Sequence, residues 1–247
     1  MNTLLAVALV VCAPGYPGST QEAQPAMDAL ARELSQGSHL TVTASYDETA
    51  QGGLRSVKRP DAGLVLATLP FFLEHERDLH LTAKLLAVPQ DGQPLQTWTL
   101  VAGKDHPAQL DGYAVQSLAG DAPRFVRAVA PLVPKDAHIA ASSSVLSGLR
   151  KAANGEKLAV LLDGAQAASL KTLPFAQSLA TVSTSAPVPV AVVATVGKKI
   201  PAAQWKALEA AFKAVPKESL AGIQMSGFAP LDEAALSKAR EAYRKAQ

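Results

Sequence analysis

The five histidines, the strand-end aspartates Asp121 and Asp163 and a run of three serines are the first candidates for chemistry in this chain. The histidines are His39, His75, His80, His106 and His138. His75 and His80 stand five apart, which does not put them on one helical face as i,i+4 metal ligands would be. "FFLEHERD" around His75 reads as a solvated helix end rather than a metal site. Asp121 and Asp163 each follow an apolar strand and precede a helix, where open α/β sheets place functional residues. The same position is also what a helix cap would occupy. Ser142, Ser143 and Ser144 stand at a later helix start, again as caps or as anion ligands. No G-x-S-x-G nucleophile elbow occurs. "PGYPGST" lacks the lysine of a phosphate loop and is not G-x-G-x-x-G, so it is either a strand-to-helix turn or a ligand-facing one carrying Tyr16. No nucleophile, base and oxyanion site assemble from these residues, and the chain is expected not to be an enzyme.

The elements that must position them follow from composition and periodicity. Hydrophobic content of 48% against 18% charged residues describes a globular chain. A formal net charge of +2 with no Lys/Arg run above two residues gives no footprint for nucleic acid. The single cysteine, Cys12, excludes an internal disulfide and sits in an apolar run as a buried, inert thiol. Leu4 to Val11 could serve as the apolar core of a signal peptide, but no Lys or Arg precedes it and no small-x-small cleavage site fits. The run is also shorter than the roughly 20 residues a membrane span requires. It reads as a strand buried on both faces, with any export signal expected to lie outside this sequence.

Ser19 with Glu22 three residues on matches a capping box. Met27, Leu30 and Leu34 share one face of the following helix, Pro25 falls near its start, and Gly37 is its expected stop. "HLTVTASY" alternates as a strand, and "DAGLVLATLPFF" is a second buried strand closed by Pro70. This β-α-β-β opening implies a largely parallel sheet flanked by helices. "LTAKLLAVP" and "QTWTLVAG" continue as strands. "GYAVQSLA" is a strand followed by a helix through "APRFVRAVAPLV", capped by Asp121. "AASSSVLSGLRKAANG" reads as a helix, "KLAVLLDG" as a strand and "AQAASLKTL" as a short helix. "FAQSLATVSTS" and "PVPVAVVATVG" run back. Pro201 opens a helix with Trp205, Leu208, Phe212 and Val215 on one face, and a last helix from Asp232 to Lys245 buries Leu236, Ala239 and Tyr243.

The order of these elements resembles the periplasmic substrate-binding proteins of the phosphate/phosphite/phosphonate type over nearly the whole chain. "DAGLVLATLPFF" is similar to that family's D-A-x-(apolar) strand ending in a ligand-facing turn. "LQTWTLVAGKDHPAQL" resembles its crossover, "GEKLAVLLDG" its later strand, and "APVPVAVVATVGKKIP" with "PAAQWKALEAAF" its return strand and helix. The resemblance implies an α/β, two-lobed periplasmic-binding-protein fold, each lobe a mixed sheet flanked by helices, joined by two crossover strands. Lobe one would comprise 1–95 plus 192–247 and lobe two 96–191, with hinge strands near 95–100 and 187–194. A small molecule would be captured in the cleft between lobes and delivered to a membrane transporter component in the periplasm, by a monomer needing no cofactor or metal.

One departure from the family shapes the ligand expectation. Phosphonate binders carry a Ser/Thr-rich turn, and the corresponding "YAVQSLAGDAPRFVRAV" keeps only Ser117, with Asp121 where an anion should sit. A buried carboxylate there would oppose a phosphonate. The other cleft candidates are Tyr16, Pro17, Tyr46, Leu69, Phe71, Phe72 and Trp98, apolar or amphipathic contact area beside the polar anchors Ser117 and Asp121. The expected ligand is therefore hydrophobic or amphipathic, sterol- or lipid-like. The alternatives are an oxyanion held by helix amides and Ser142 to Ser144, or a sensor or interaction protein of the same fold.

Overall fold

The computed structural model describes residues 6–14, 19–90 and 92–246. The chain forms β1 (Val7–Cys12), α1 (Thr20–Ser38), β2 (Val42–Asp47), α2 (Ala50–Val57), β3 (Ala62–Thr68), α3 (Leu69–His75) and β4 (Leu81–Pro89). β5 (Leu95–Gln96), β6 (Thr99–Gly103), β7 (Ala114–Ser117), α4 (Pro123–Val129) and β8 (Ile139–Ala141) follow. Next come α5 (Val145–Ala153), β9 (Leu158–Leu162), α6 (Gly164–Ser169), β10 (Leu179–Thr184), β11 (Val188–Pro189) and β12 (Ala191–Val196). α7 (Ala202–Ala214), α8 (Lys217–Leu220), β13 (Met225–Pro230) and α9 (Glu233–Lys245) complete it. These elements divide into two compact units, 1–94 with 189–232 and 95–188 with 233–247. The chain passes between the units at 94/95, 188/189 and 232/233, the first two passages beside the paired short strands β5 and β11.

The first unit is a six-stranded mixed sheet in the order β13-β4-β12-β3-β1-β2. β1 runs parallel to β2 and β3, whereas β12 is antiparallel to β3 and β4. Every residue of β1 and β3 is buried, because helices cover both faces and neither strand can alternate. Leu9 and Val11 face α1, where Met27, Leu30 and Leu34 are fully buried. Cys12 faces α2 and α3, beside Gly53 and Phe71.

Local chemistry explains where this unit departs from the sequence reading. α2 interrupts the expected β-α-β-β opening. Its Gly52 and Gly53 are poor helix formers, yet each is needed for a close approach. A Cβ on Gly53 would stand 2.6 Å from Cys12 Sγ. α1 does not stop at Gly37 but at Ser38, with His39 as the left-handed C-cap at φ 56°. Gly37 instead admits α7, since its Cβ would lie 2.9 Å from that of Ala211. Edge strand β13, half-buried and carrying Gly and Pro, gave no alternation to read.

The second unit is a five-stranded sheet in the order β10-β6-β9-β7-β8. β7, β8 and β9 are parallel, while β6 is antiparallel to β9 and β10. Trp98 packs edge-on against Phe125 of α4, ring centres 5.3 Å apart. β8 lies ahead of the serines, in residues the sequence did not resolve as a strand. The last helix buries Leu236, Ala239 and Tyr243 as read, but it packs on α4 and joins this unit rather than lobe one. Its amphipathic pattern specifies a buried face and not which surface covers it. No helix among the described residues is long and apolar enough to cross a membrane.

Candidate functional site

Register brings four of the chemistry-bearing segments to one edge of the second unit's sheet. Ser117 ends β7 opposite Ala141 of β8 and Leu161 of β9. Thr99, the first residue of β6, pairs with Leu162, the last of β9. Trp98, Asp163, Ser117 and Ser142 therefore lie in a row across four adjacent strands, at the edge where α4, α5 and α6 begin. Open α/β sheets place ligands at such carboxyl ends.

Ser117 is completely buried, and its Oγ accepts from the Ala119 amide at 3.2 Å. Its carbonyl accepts from the amides of Gly120 and Ser142 at 3.1 and 2.9 Å, joining the β7 turn to the serine run. Only glycine fits at position 120, because a Cβ would overlap the Ala140–Ala141 peptide.

The three helix starts differ. Asp163 caps α6, accepting from the Gln166 amide at 2.9 Å while Gln166 Oε1 accepts from the Asp163 amide at 3.1 Å. α4 has Ala122 at its N-cap, no side-chain cap, and Pro123 in its first turn. Asp121 is thus not the cap; it lies exposed in the turn before it. α5 has Ser144 at its N-cap but no side-chain hydrogen bond there, with exposed Ser143 and half-buried Ser142 before it. The Ser147 amide donates to the Ser144 carbonyl at 3.1 Å, and among the described residues no side chain caps the amides that precede it.

The first unit is arranged otherwise. The Glu22 carboxylate accepts from both the amide and the hydroxyl of Ser19 at 2.8 Å, which lowers its pKa through the backbone hydrogen bond first and the hydroxyl second. The α1 N-terminus already holds its own anion. α2 is capped by Thr49, whose Oγ1 accepts from Gly52 at 3.0 Å. Tyr46 is buried in the core, and burial, Glu48 and Cys12 raise its pKa. Leu69, Phe71 and Phe72 are buried on α3, Phe71 edge-on to His75 at 4.6 Å. Burial, with Asp47 second, pushes the Cys12 thiol far up and leaves it little thiolate character. Tyr16 and Pro17 lie outside the described residues. The described residues hold no group of three His, Cys, Asp or Glu fit for a metal ion.

Gln96 is the residue the sequence reading missed. Its Oε1 accepts from the Gly164 amide at 3.1 Å, while its Nε2 and the indole Nε1 of Trp98 are buried donors with no partner among the described residues. Only the hint "LQTWTL", polar residues inside an apolar crossover, was available to find it.

No family model and no curated protein matches this chain. Solved structures do. The Xanthomonas citri protein XAC2383, bound to chloride ion, is similar with a TM-score of 0.73 at 15% identity, covering 98% of both chains. The binding protein component of an ABC phosphonate transporter from Pseudomonas aeruginosa aligns with a TM-score of 0.63 at 17% identity, covering 96% of this chain and 85% of that one. PhnD1 from Prochlorococcus marinus, in complex with methylphosphonate, gives 0.64 at 12% identity and 98% of both chains. The chain has the two-lobed periplasmic-binding-protein fold. At these identities the likeness extends to the fold alone.

Proposed function

We propose that this protein is a periplasmic solute-binding protein that takes an oxyanion of the phosphate or phosphonate class and delivers it to a membrane ABC transporter component. The observation that carries this reading is the start of α5, a helix N-terminus without a side-chain cap, preceded by three serines and tied to Ser117. Amides, hydroxyls and the positive end of the helix dipole suit a tetrahedral anion. The binding proteins of similar fold from Pseudomonas aeruginosa and Prochlorococcus marinus support the same class. Asp121 weakens the case less than its sequence position suggested, because an exposed carboxylate is screened by water and salt.

The sterol or lipid reading needs open apolar surface. Tyr46, Leu69, Phe71, Phe72 and Trp98 are each no more than 7% exposed, so the oxyanion reading has the better support. Calorimetry and thermal shift on delipidated protein test the choice, with phosphate and methylphosphonate against cholesterol and oleate. A ligand at a hundredfold excess over its Kd stabilises by about 2.7 kcal/mol. A phosphonate response without a lipid response is expected. Saturable lipid binding with no oxyanion response would sink the proposal.

A further inference from the structure

We propose that Asn154 is a site of spontaneous deamidation, held in check by the last turn of α5. The chain has two asparagines, Asn2 and Asn154, and only Asn154 precedes a glycine. A glycine amide is the least hindered nucleophile for a neighbouring carboxamide, because no Cβ shields it. Asn154 and Gly155 are both exposed.

The fold demands this pairing. Asn154 is the C-cap of α5, and the chain turns toward β9 through Gly155 at φ 87°, a left-handed conformation that favours glycine. A Cβ on Gly155 would meet nothing within 4 Å, so the space beside this peptide bond is open to water.

The reaction needs no partner but water. The Gly155 nitrogen, giving up its proton, attacks Asn154 Cγ. The new N–Cγ bond forms as the Cγ–Nδ2 bond breaks, and ammonia carries the proton away. Water then opens the succinimide at one carbonyl or the other, leaving aspartate or isoaspartate. No oxidant or reductant takes part.

The helix end sets the rate. The Gly155 amide donates to the Ala152 carbonyl at 3.0 Å, and Asn154 stands at ψ 6°, which turns its Cβ away from that nitrogen. The amide of Asn154 is itself shared between the carbonyls of Arg150 and Lys151, at 3.1 Å each. This turn must open before the ring can close, and a fraying helix end is among the least costly of local openings. The product acts back on the unit. Aspartate adds a charge beside Glu156 at the negative end of the α5 dipole. Isoaspartate also lengthens the backbone by one carbon just ahead of β9, the central strand of the five-stranded sheet.

The test holds the folded chain and the chain unfolded in guanidinium chloride at one mildly alkaline pH. Peptide mapping and isoaspartyl methyltransferase labelling follow residue 154, with Asn2 as the internal comparison. Product at 154 is expected in both samples, at least tenfold faster in the unfolded one and faster there than at Asn2. Asn154→Gln should form none in the folded protein, since its longer side chain closes a less favourable ring. Asn154→Asp, which reproduces the aspartate product, should melt below the parent. Equal rates in the two samples overturn the gating by α5, and product confined to the unfolded sample overturns the site. An unchanged melting temperature in Asn154→Asp overturns the charge argument. The rate comparison uses the unaltered chain and decides the matter even if a variant does not fold.

Discussion

Arg124 grips Tyr243 twice: its Nε donates to the Tyr243 carbonyl at 2.8 Å, and its guanidinium carbon lies 4.5 Å from the centre of the Tyr243 ring. The same side chain donates to the carbonyls of Ala246 and Arg244 at 2.8 and 3.2 Å. The Tyr243 and Arg244 carbonyls lie in the last turn of α9 and that of Ala246 just beyond it, where helix carbonyls lack intrahelical donors. One arginine therefore caps the C-terminal helix and fastens it to α4. That contact adds to the buried face of Leu236, Ala239 and Tyr243 in holding the chain's end on the second unit.

Removing it should loosen α9 selectively. Arg124→Ala is expected to cost about 1–3 kcal/mol through lost charge-assisted hydrogen bonds and the cation–π contact. Hydrogen exchange should show residues 233–246 losing protection while the β6–β9 ladder keeps its own. Arg124→Lys should recover little, because a point ammonium cannot serve several carbonyls and stack on the ring together. Uniform loss of protection across the second unit would contradict this account.

Gly53 should resist replacement even though alanine is the better helix former. The helix-propensity gain is about 1 kcal/mol, but the new methyl would stand 2.6 Å from Cys12 Sγ and 3.3 Å from Phe71 Cε2. Overpacking of this kind costs about 1–3 kcal/mol, so Gly53→Ala should lower the urea midpoint. Cys12→Ala removes the offending sulfur and should rescue part of that loss, with a coupling of about 1 kcal/mol or more in a double-mutant cycle. Strict additivity would place the strain elsewhere.

The same contacts explain what the sequence made legible. α1 could be read because its Ser19–Glu22 box and its Met27, Leu30 and Leu34 face are local signals, and both are present. α2 could not, because Gly52 and Gly53 answer to Cys12, Asp47 and Thr49 in space rather than to helix propensity. Within the site, Ser117 and Asp163 could be placed at strand ends by pattern. Phe71, Phe72 and Trp98 read equally as contact surface or as core, since apolar residues beside a strand end suit either. The buried donor of Gln96 is visible only once its neighbours are known and its hydrogen bonds are accounted for.

His75 makes stability pH-dependent with a defined sign. Burial holds its imidazole below the ordinary histidine range, outweighing the upward pull of Glu74 and Asp78. The unfolded chain, with a histidine pKa of about 6.5, then takes up the proton first as pH falls. Stability should decline from about pH 6.5 downward and level off once the folded-state imidazole has also protonated. Above about pH 7 both states are neutral and the residue contributes no slope. His75→Phe keeps an aromatic edge against Phe71 and cannot titrate. Its urea midpoint should fall less than that of the parent between pH 7 and pH 5. Superimposable curves would refute the assignment.

Ser144→Asp separates folding from binding by giving them opposite signs. α5 lacks a side-chain cap at Ser144, and a carboxylate at a helix N-terminus stabilises by about 0.3–1 kcal/mol through the dipole. The variant should therefore melt slightly higher. The same carboxylate would occupy the amides proposed to hold the ligand's oxyanion and repel it, so methylphosphonate affinity should fall at least tenfold. Ser144→Asn supplies a capping group without charge and should lose much less affinity, which distinguishes repulsion from lost hydroxyl contact. A damaged fold could not raise stability while lowering affinity. Unchanged methylphosphonate binding in Ser144→Asp would mean that the anion sits somewhere other than the start of α5.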